Sequence, residues 1–245
     1  MALMRNYNHM NNRTTCSNCS TENPPYVYTC KNCNSFLRER IFNIDLWNVI
    51  GLMIEAPKKA FELIIFSEHK NYISFLLILV AVKLLVNARF VSLISIGNFN
   101  PSTSLYLSYL ILFSILVVYL ILFAFCFTYI NKSLQIATRF RDNLAVLTYS
   151  LLPNVFGIIF LFIIELVVFG EYLFSINPTP FVIKGVTAYI FAGAEILLIV
   201  WSVALTFKAF KVQTDSILYN IIYTSVFYFF LLVILFYSSK IIFTV

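Results

Sequence analysis

From Ser104 to Tyr129 the chain reads SLYLSYLILFSILVVYLILFAFCFTY, 26 residues with no Asp, Glu, Lys or Arg. A helix rises about 1.5 Å per residue, so about 20 apolar residues cross a hydrocarbon core of about 30 Å. The stretch is long enough to span a bilayer and lacks the polar face of a surface helix. Two further runs, Asn143–Ile164 and Ser216–Ser239, are also free of charge. The composition agrees: of 245 residues, 60% are hydrophobic and 11% charged, with mean hydropathy +0.86, where a soluble domain carries about a quarter charged residues. The fold class expected is an all-α integral membrane bundle. Its five transmembrane helices fall at about 72–95, 104–129, 144–169, 181–207 and 217–242, with the breakers GNFNPSTS (Gly97–Ser104) and SINPTP (Ser175–Pro180) between spans.

The charge is uneven. Residues 1–70 hold 8 basic and 6 acidic side chains, half of all the charged residues. That near-balance argues against a nucleic-acid-binding arm, which would be strongly basic, and no nucleic acid is expected as a partner. Residues 1–15 contain no apolar run and read as a disordered leader without a secretory signal, His9 being exposed and idle. Next come a small zinc ribbon (16–37), amphipathic juxtamembrane helices (38–70) and the five-helix domain (71–245).

Loop charges orient the spans. Lys132, Arg139 and Arg141 lie between spans two and three, and Lys208 and Lys211 between four and five; the outer loops carry only Lys184. Basic loops stay cytoplasmic. Lys58, Lys59 and Lys70 join that side only if 72–95 crosses, despite Lys83, Asn87 and Arg89 within it. Five crossings place the N-terminus in the cytoplasm and the C-terminus outside, with Lys240 a small exception. The membrane would be the cytoplasmic membrane in a prokaryote, the favoured reading, and ER or Golgi in a eukaryote.

Cys16 to Cys33 reads CSNCSTENPPYVYTCKNC, two C-x2-C pairs separated by ten residues. A C-x2-C pair curls into a knuckle that presents two thiolates to one ion, and two knuckles complete the tetrahedron zinc prefers. Cys16, Cys19, Cys30 and Cys33 are therefore the expected ligands of one structural Zn2+, with no open position for catalysis. Two disulfides or free cysteines are the alternatives; disulfides need an oxidising compartment, and the topology puts this segment in the cytoplasm. Asn23-Pro24-Pro25 is expected to turn and Tyr26-Val27-Tyr28 to alternate as a strand. Ser20 and Asn34 come directly after the knuckles, where a left-handed residue is common; Asn suits that region better than Ser. A domain this small draws its folding free energy from the metal. Cys126, in the second span, reads as a small buried or lipid-facing residue.

Between ribbon and spans, Ile41, Ile44, Leu46, Trp47, Ile50, Met53 and Ile54 recur at helical spacing, and after Pro57 a second short helix sets Phe61, Ile64, Ile65 and Glu68 on related faces. The first segment is too polar to span and too apolar to float. It reads as an interfacial amphipathic helix with Trp47 as its anchor at headgroup depth, the alternative being a helix packed on the ribbon.

Ionisable residues inside a span are functional candidates by default. Lys83 and Glu195 fall about halfway along their spans and are opposite in sign. Ala188, Ala192 and Glu195 share one face, and small residues mark close helix packing. A Lys83–Glu195 pair bridging the first and fourth spans is the expectation; a hydrogen-bonded neutral Glu195 with a snorkelling Lys83 is the alternative. Glu165 reads as close enough to its span end to reach the interface.

Three stretches carry a resemblance: EAPKKAFELI (Glu55–Ile64), DNLAVLTYSLLPNVFG (Asp142–Gly157) and ILLIVWSVALTFKAFKVQTDSILYNII (Ile196–Ile222). With five spans and a cytoplasmic N-terminal region, the chain resembles the Yip family of membrane proteins over roughly Trp47–Phe236. The resemblance implies a non-catalytic membrane protein. Eukaryotic members interact with Rab GTPases in vesicle traffic; a ribbon-plus-bundle chain looks like the prokaryotic members, so no Rab partner is carried over. The Arv family also pairs cysteine motifs with spans, but its fuller cysteine-rich region is not evident here.

No Gly-rich phosphate loop, HExxH motif or Ser/His/Asp set is present, and the histidines are His9 and His69 alone. The chain therefore reads as a non-enzyme: a membrane scaffold or adaptor that presents its zinc ribbon to an unidentified cytoplasmic protein partner and organises the lipid bilayer around it. The alternative is a small permease or channel using Lys83 and Glu195. The aromatic fifth span, YFFLLVILFY (Tyr228–Tyr237), suits lipid or a second subunit in a homo-oligomer.

Overall fold

The computed structural model describes residues 12–94, 104–175, 178–214 and 216–243. The leader up to residue 11 with His9, nearly all of the first breaker and Ile176–Asn177 of the second lie outside the described residues. The protein is mostly helical, with five helical stretches long and apolar enough to cross a membrane. These are α3 (Ile73–Ile94), α4 (Leu105–Ser133), the α5–α7 stretch (Phe140–Leu173), α9 (Gly185–Gln213) and α10 (Ile217–Phe243).

The ends of three spans differ from the sequence expectation. α4 continues to Ser133, the third stretch starts at Phe140, and α9 continues to Gln213. A helix ends where its backbone is capped, not where its apolar run ends. α4 keeps its register through Asn131 and Lys132, and stops only where Gln135 takes a left-handed φ of 60°. The fourth span begins at Gly185 because Pro180–Ile183 forms a separate turn, α8, broken at Lys184 (φ −136°, ψ 65°).

The third stretch is α5 (Phe140–Ser150), α6 (Leu152–Phe156), a π-helical run Gly157–Phe162 and α7 (Ile163–Phe169), closed by a 3-10 turn. Pro153 has no N–H for the Tyr149 carbonyl and crowds it, which breaks the helix at Leu151.

The chain divides into two compact units. The first comprises Met1–Ile73, Leu120–Ser150 and Ala204–Ser225. It holds a short ladder, β1 (Thr14–Thr15) antiparallel to β2 (Glu22–Asn23), and two short helices, α1 (Leu46–Glu55) and α2 (Pro57–Phe66). α1 packs on α2, and α2 packs on α5. Asp45 caps α1 by accepting from the Trp47 and Asn48 amides at 3.0 and 3.4 Å. The inward face of α1 is Val49 and Met53, while Trp47 (80% exposed) and Ile54 (62%) face outward. α2 buries Ala60, Phe61, Ile64 and Ile65. Phe127 packs tilted against Phe210 (ring centroids 4.6 Å) and edge-on to Tyr223 (4.8 Å), a cluster that joins α4, α9 and α10 in this unit.

The second unit comprises Ser74–Tyr119, Leu151–Val203 and Val226–Val245. Phe169, Leu173 and Ala188 form one buried cluster there, and Phe156 stacks on Trp201 (5.6 Å).

The strand expected at Tyr26-Val27-Tyr28 does not form. Pro24 and Pro25 have no amide hydrogen for a ladder, and Val27 N–H closes a turn on the Pro24 carbonyl at 3.3 Å. The Tyr26 carbonyl accepts from Arg38 at 2.6 Å, and the ribbon's second pairing is a single bridge, Thr29 to Phe36.

Candidate functional site

The two knuckles are built alike. Ser20 N–H bonds the Cys16 carbonyl at 2.9 Å, and Asn34 N–H bonds the Cys30 carbonyl at 3.0 Å. Each turn closes on a left-handed residue, Ser20 at φ 55° and Asn34 at φ 57°. Cys16 N–H then reaches the Thr21 carbonyl and Cys30 N–H the Ser35 carbonyl, at 3.0 and 2.9 Å. This folds each pair of sulfurs inward.

All four Sγ atoms lie within 4.8 Å of one another, and none is in a disulfide. The closest pairs are Cys16–Cys33 at 3.6 Å and Cys19–Cys30 at 3.5 Å. A tetrahedron with metal–sulfur bonds of about 2.3 Å has edges of about 3.8 Å, so the donor set fits one ion. Hydrogen bonds surround it. Cys30 Sγ accepts from Asn23 Nδ2 at 3.4 Å and from the Asn32 amide at 3.5 Å, as a ligating thiolate requires. Ser35 Oγ is 3.1 Å from both Cys16 and Cys33. The Ser35 bond, with help from the Cys19 and Asn18 amides, holds the Cys16 thiol down at about 6, well below the usual thiol range. Asn23 had read only as a turn residue. It is fully buried and also accepts the Lys31 amide at 3.0 Å, which orients one knuckle against the other.

Three arginines tie the ribbon to segments at the ends of α2 and α5. Arg38 lies over the Phe66 ring (4.4 Å) and donates to the Phe66 carbonyl at 3.3 Å. Arg40 clamps Glu68 with two bonds of 2.8 and 3.0 Å and covers Phe42 (4.2 Å). Arg139 lies over Tyr26 (4.4 Å). Beneath them is a charge cluster that no spacing signal revealed. Asp142, in the first turn of α5, accepts from Lys70 at 2.9 Å and from Arg139 at 2.7 and 3.1 Å. Lys70 also caps α2 through the Ser67 and Ile65 carbonyls at 2.8 and 2.9 Å. Burial pushes the Lys70 ammonium down from its usual range and Asp142 opposes that. Asp142→Ala should destabilise the protein by about 1.5–3 kcal/mol, the worth of charged hydrogen bonds lost from a site that keeps its carbonyl partners; thermal unfolding in detergent measures it.

The second unit brings Lys83 and Glu195 together. Lys83 Nζ donates to Glu195 Oε1, with Lys83 fully buried and Glu195 8% exposed. Gly157 makes room for the lysine: a Cβ there would lie 2.8 Å from Lys83 Cε and 2.8 Å from Leu198 Cδ1. Gly157→Ala should therefore cost about 1–3 kcal/mol by overpacking, read as a lowered melting temperature. Glu165 does not reach an exterior surface, contrary to the sequence reading. It is fully buried, and the π-helical run just before it turns its side chain inward. Arg89, also buried, donates to the Ser175 carbonyl at 2.7 Å and to Ser92 Oγ at 3.0 Å. A cavity of about 20 Å³, lined in part by Asn87, Asn154 and Ser202, has room for one water.

Comparison with protein families, with characterised proteins and with solved structures finds no match to this chain.

Proposed function

We propose that the protein is a non-catalytic membrane scaffold of the Yip type, whose five long helices cross the bilayer and whose metal-folded ribbon docks a protein partner in the cytoplasm. The observation that carries this reading is the four-cysteine cluster on a ribbon tied by Arg38, Arg40 and Arg139 to the segments at the ends of α2 and α5. Four thiolates are a soft, closed donor set, which favours zinc in a structural role. The ion would be held by Cys16, Cys19, Cys30 and Cys33, and it would supply fold stability and no reaction chemistry. A rigid knob fixed to an anchor suits presentation, and its side chain Phe36 stands 82% exposed. Exposed Trp47 and Ile54 on α1 support an interfacial seat for that helix.

A photo-cross-linker placed beside Phe36 in native membranes tests the docking role. The reading expects a discrete protein adduct that Phe36→Ser removes while the metal stays bound. No adduct, together with an ion flux in proteoliposomes that Glu195→Leu abolishes, would favour the permease alternative.

A further inference from the structure

The second unit buries two carboxyl groups and one ammonium group close together. Lys83 and Glu165 are fully buried and Glu195 is 8% exposed. Lys83 pairs with one oxygen of Glu195. The other oxygen of Glu195 and both oxygens of Glu165 have no hydrogen-bond partner among the described residues. Glu165 lies within Coulombic reach of both members of the pair. With no donor to stabilise a carboxylate at Glu165, a bound proton removes the charge that burial penalises.

Charge balance gives the same answer. An uncompensated charge is costly in a low-dielectric interior. With one cation and two carboxyl groups, the neutral set is one ammonium, one carboxylate and one carboxylic acid. That set has two arrangements in principle, one for each carboxylate that could take Lys83, and the structure shows the one with Glu195. Its four-carbon stem is flexible and passes Gly157, where no Cβ stands in its way. Gly157 opens the π-helical run that leads to Glu165, and π-helical turns recur at functional sites. Arg89, the other buried cation in this unit, is engaged with Ser92 and the Ser175 carbonyl. Lys83 from α3 and Glu195 from α9 are the charges that act on Glu165.

We propose that Glu165, Lys83 and Glu195 form a proton-binding site that works as a one-proton switch. With Lys83 on Glu195, the arrangement of this structure, the switch puts the proton on Glu165. When Lys83 crosses to Glu165, the O–H bond on Glu165 breaks and one forms on Glu195. Lys83 stays an ammonium throughout, nothing is oxidised or reduced, and the site stays neutral. This goes beyond a scaffold, which needs no buried titratable site.

Infrared spectroscopy of the full chain in lipid nanodiscs at neutral pH counts protonated carboxyl groups by their deuterium-sensitive C=O stretch. The switch expects one in the wild type and none in Glu165→Gln. It also expects none in Glu195→Gln, because Lys83 crosses over, and two in Lys83→Met. A wild type without the band, or a band that survives in Glu165→Gln, overturns the site. A band of unchanged strength in Glu195→Gln overturns the switch and leaves a static buried acid. Should the pair variants fail to fold, carboxyl-carbon NMR of the wild type decides: the switch requires exchange between the protonated and ionised signals of two glutamates, and its absence overturns it.

Discussion

Lys83→Met is expected to destabilise the protein by about 3–5 kcal/mol, because it breaks a buried ion pair and forces the Glu195 carboxylate to take up a proton. The lysine is fully buried and bonded to Glu195, so the variant exposes neither group to solvent that could relieve it. Glu195→Leu alone should cost less, because Lys83 can then turn to the Glu165 carboxylate. The double variant should recover most of the loss, since an apolar pair of similar volume replaces a buried ion pair at little cost. A double-mutant cycle on detergent-solubilised protein reads this coupling. If the double variant is no more stable than the worse single variant, the pair carries no energy.

Cys30→Ser has the larger expected effect, confined to the ribbon. Structural zinc sites bind with apparent free energies of about 10–16 kcal/mol, and that binding is folding free energy. Cys30 is fully buried and anchors the Asn23 and Asn32 hydrogen bonds. Its loss should empty the site and abolish amide-exchange protection at Cys16, Ser20, Cys30 and Asn34, the amides that close the two knuckles. The five long apolar helices should keep their protection. A strong chelator should reproduce the effect on the wild type, and added zinc should reverse it. Intact-mass measurement under native conditions should find one zinc per chain; a metal-free mass lower by four hydrogens would mean two disulfides.

The sequence showed most clearly what short-range chemistry controls. The cysteine spacing located the cluster, and the ribbon's left-handed residues fall at Ser20 and Asn34, where the knuckles need them. Three of the apolar helices were legible as charge-free runs, which have few other uses at that length; the first and fourth, which carry Lys83, Arg89 and Glu195, were legible from length and from the charges of the loops. Lys83 and Glu195, 112 residues apart, were linked by sign and by estimated depth, and the structure brings them together. The features that stayed hidden depend on the phase of a helix or on distant partners. Glu165 was read as reaching the interface because it stands late in its span; the π-helical run at Gly157–Phe162 adds a residue to the turn and rotates the rest of the helix about its axis. The expected strand at Tyr26–Tyr28 failed because two prolines and Arg38 occupy its backbone groups. No spacing signal singled out Asp142, and only the fold shows it between Lys70 and Arg139. A polar layer in the same unit was equally silent in the sequence. There Asn143 accepts from Gln213 at 2.9 Å and donates to Thr128 at 2.7 Å.

The account rests most heavily on an odd number of crossings with the cysteine ribbon on the cytoplasmic side. Epitopes fused to the two ends and probed with a membrane-impermeant reagent, in sealed cells and again after permeabilisation, measure this directly. The account predicts that the C-terminal epitope reacts in sealed cells and the N-terminal one only after permeabilisation. Equal reactivity of both ends in sealed cells would contradict it, and would place the four thiols in a compartment where they pair with each other instead of with zinc.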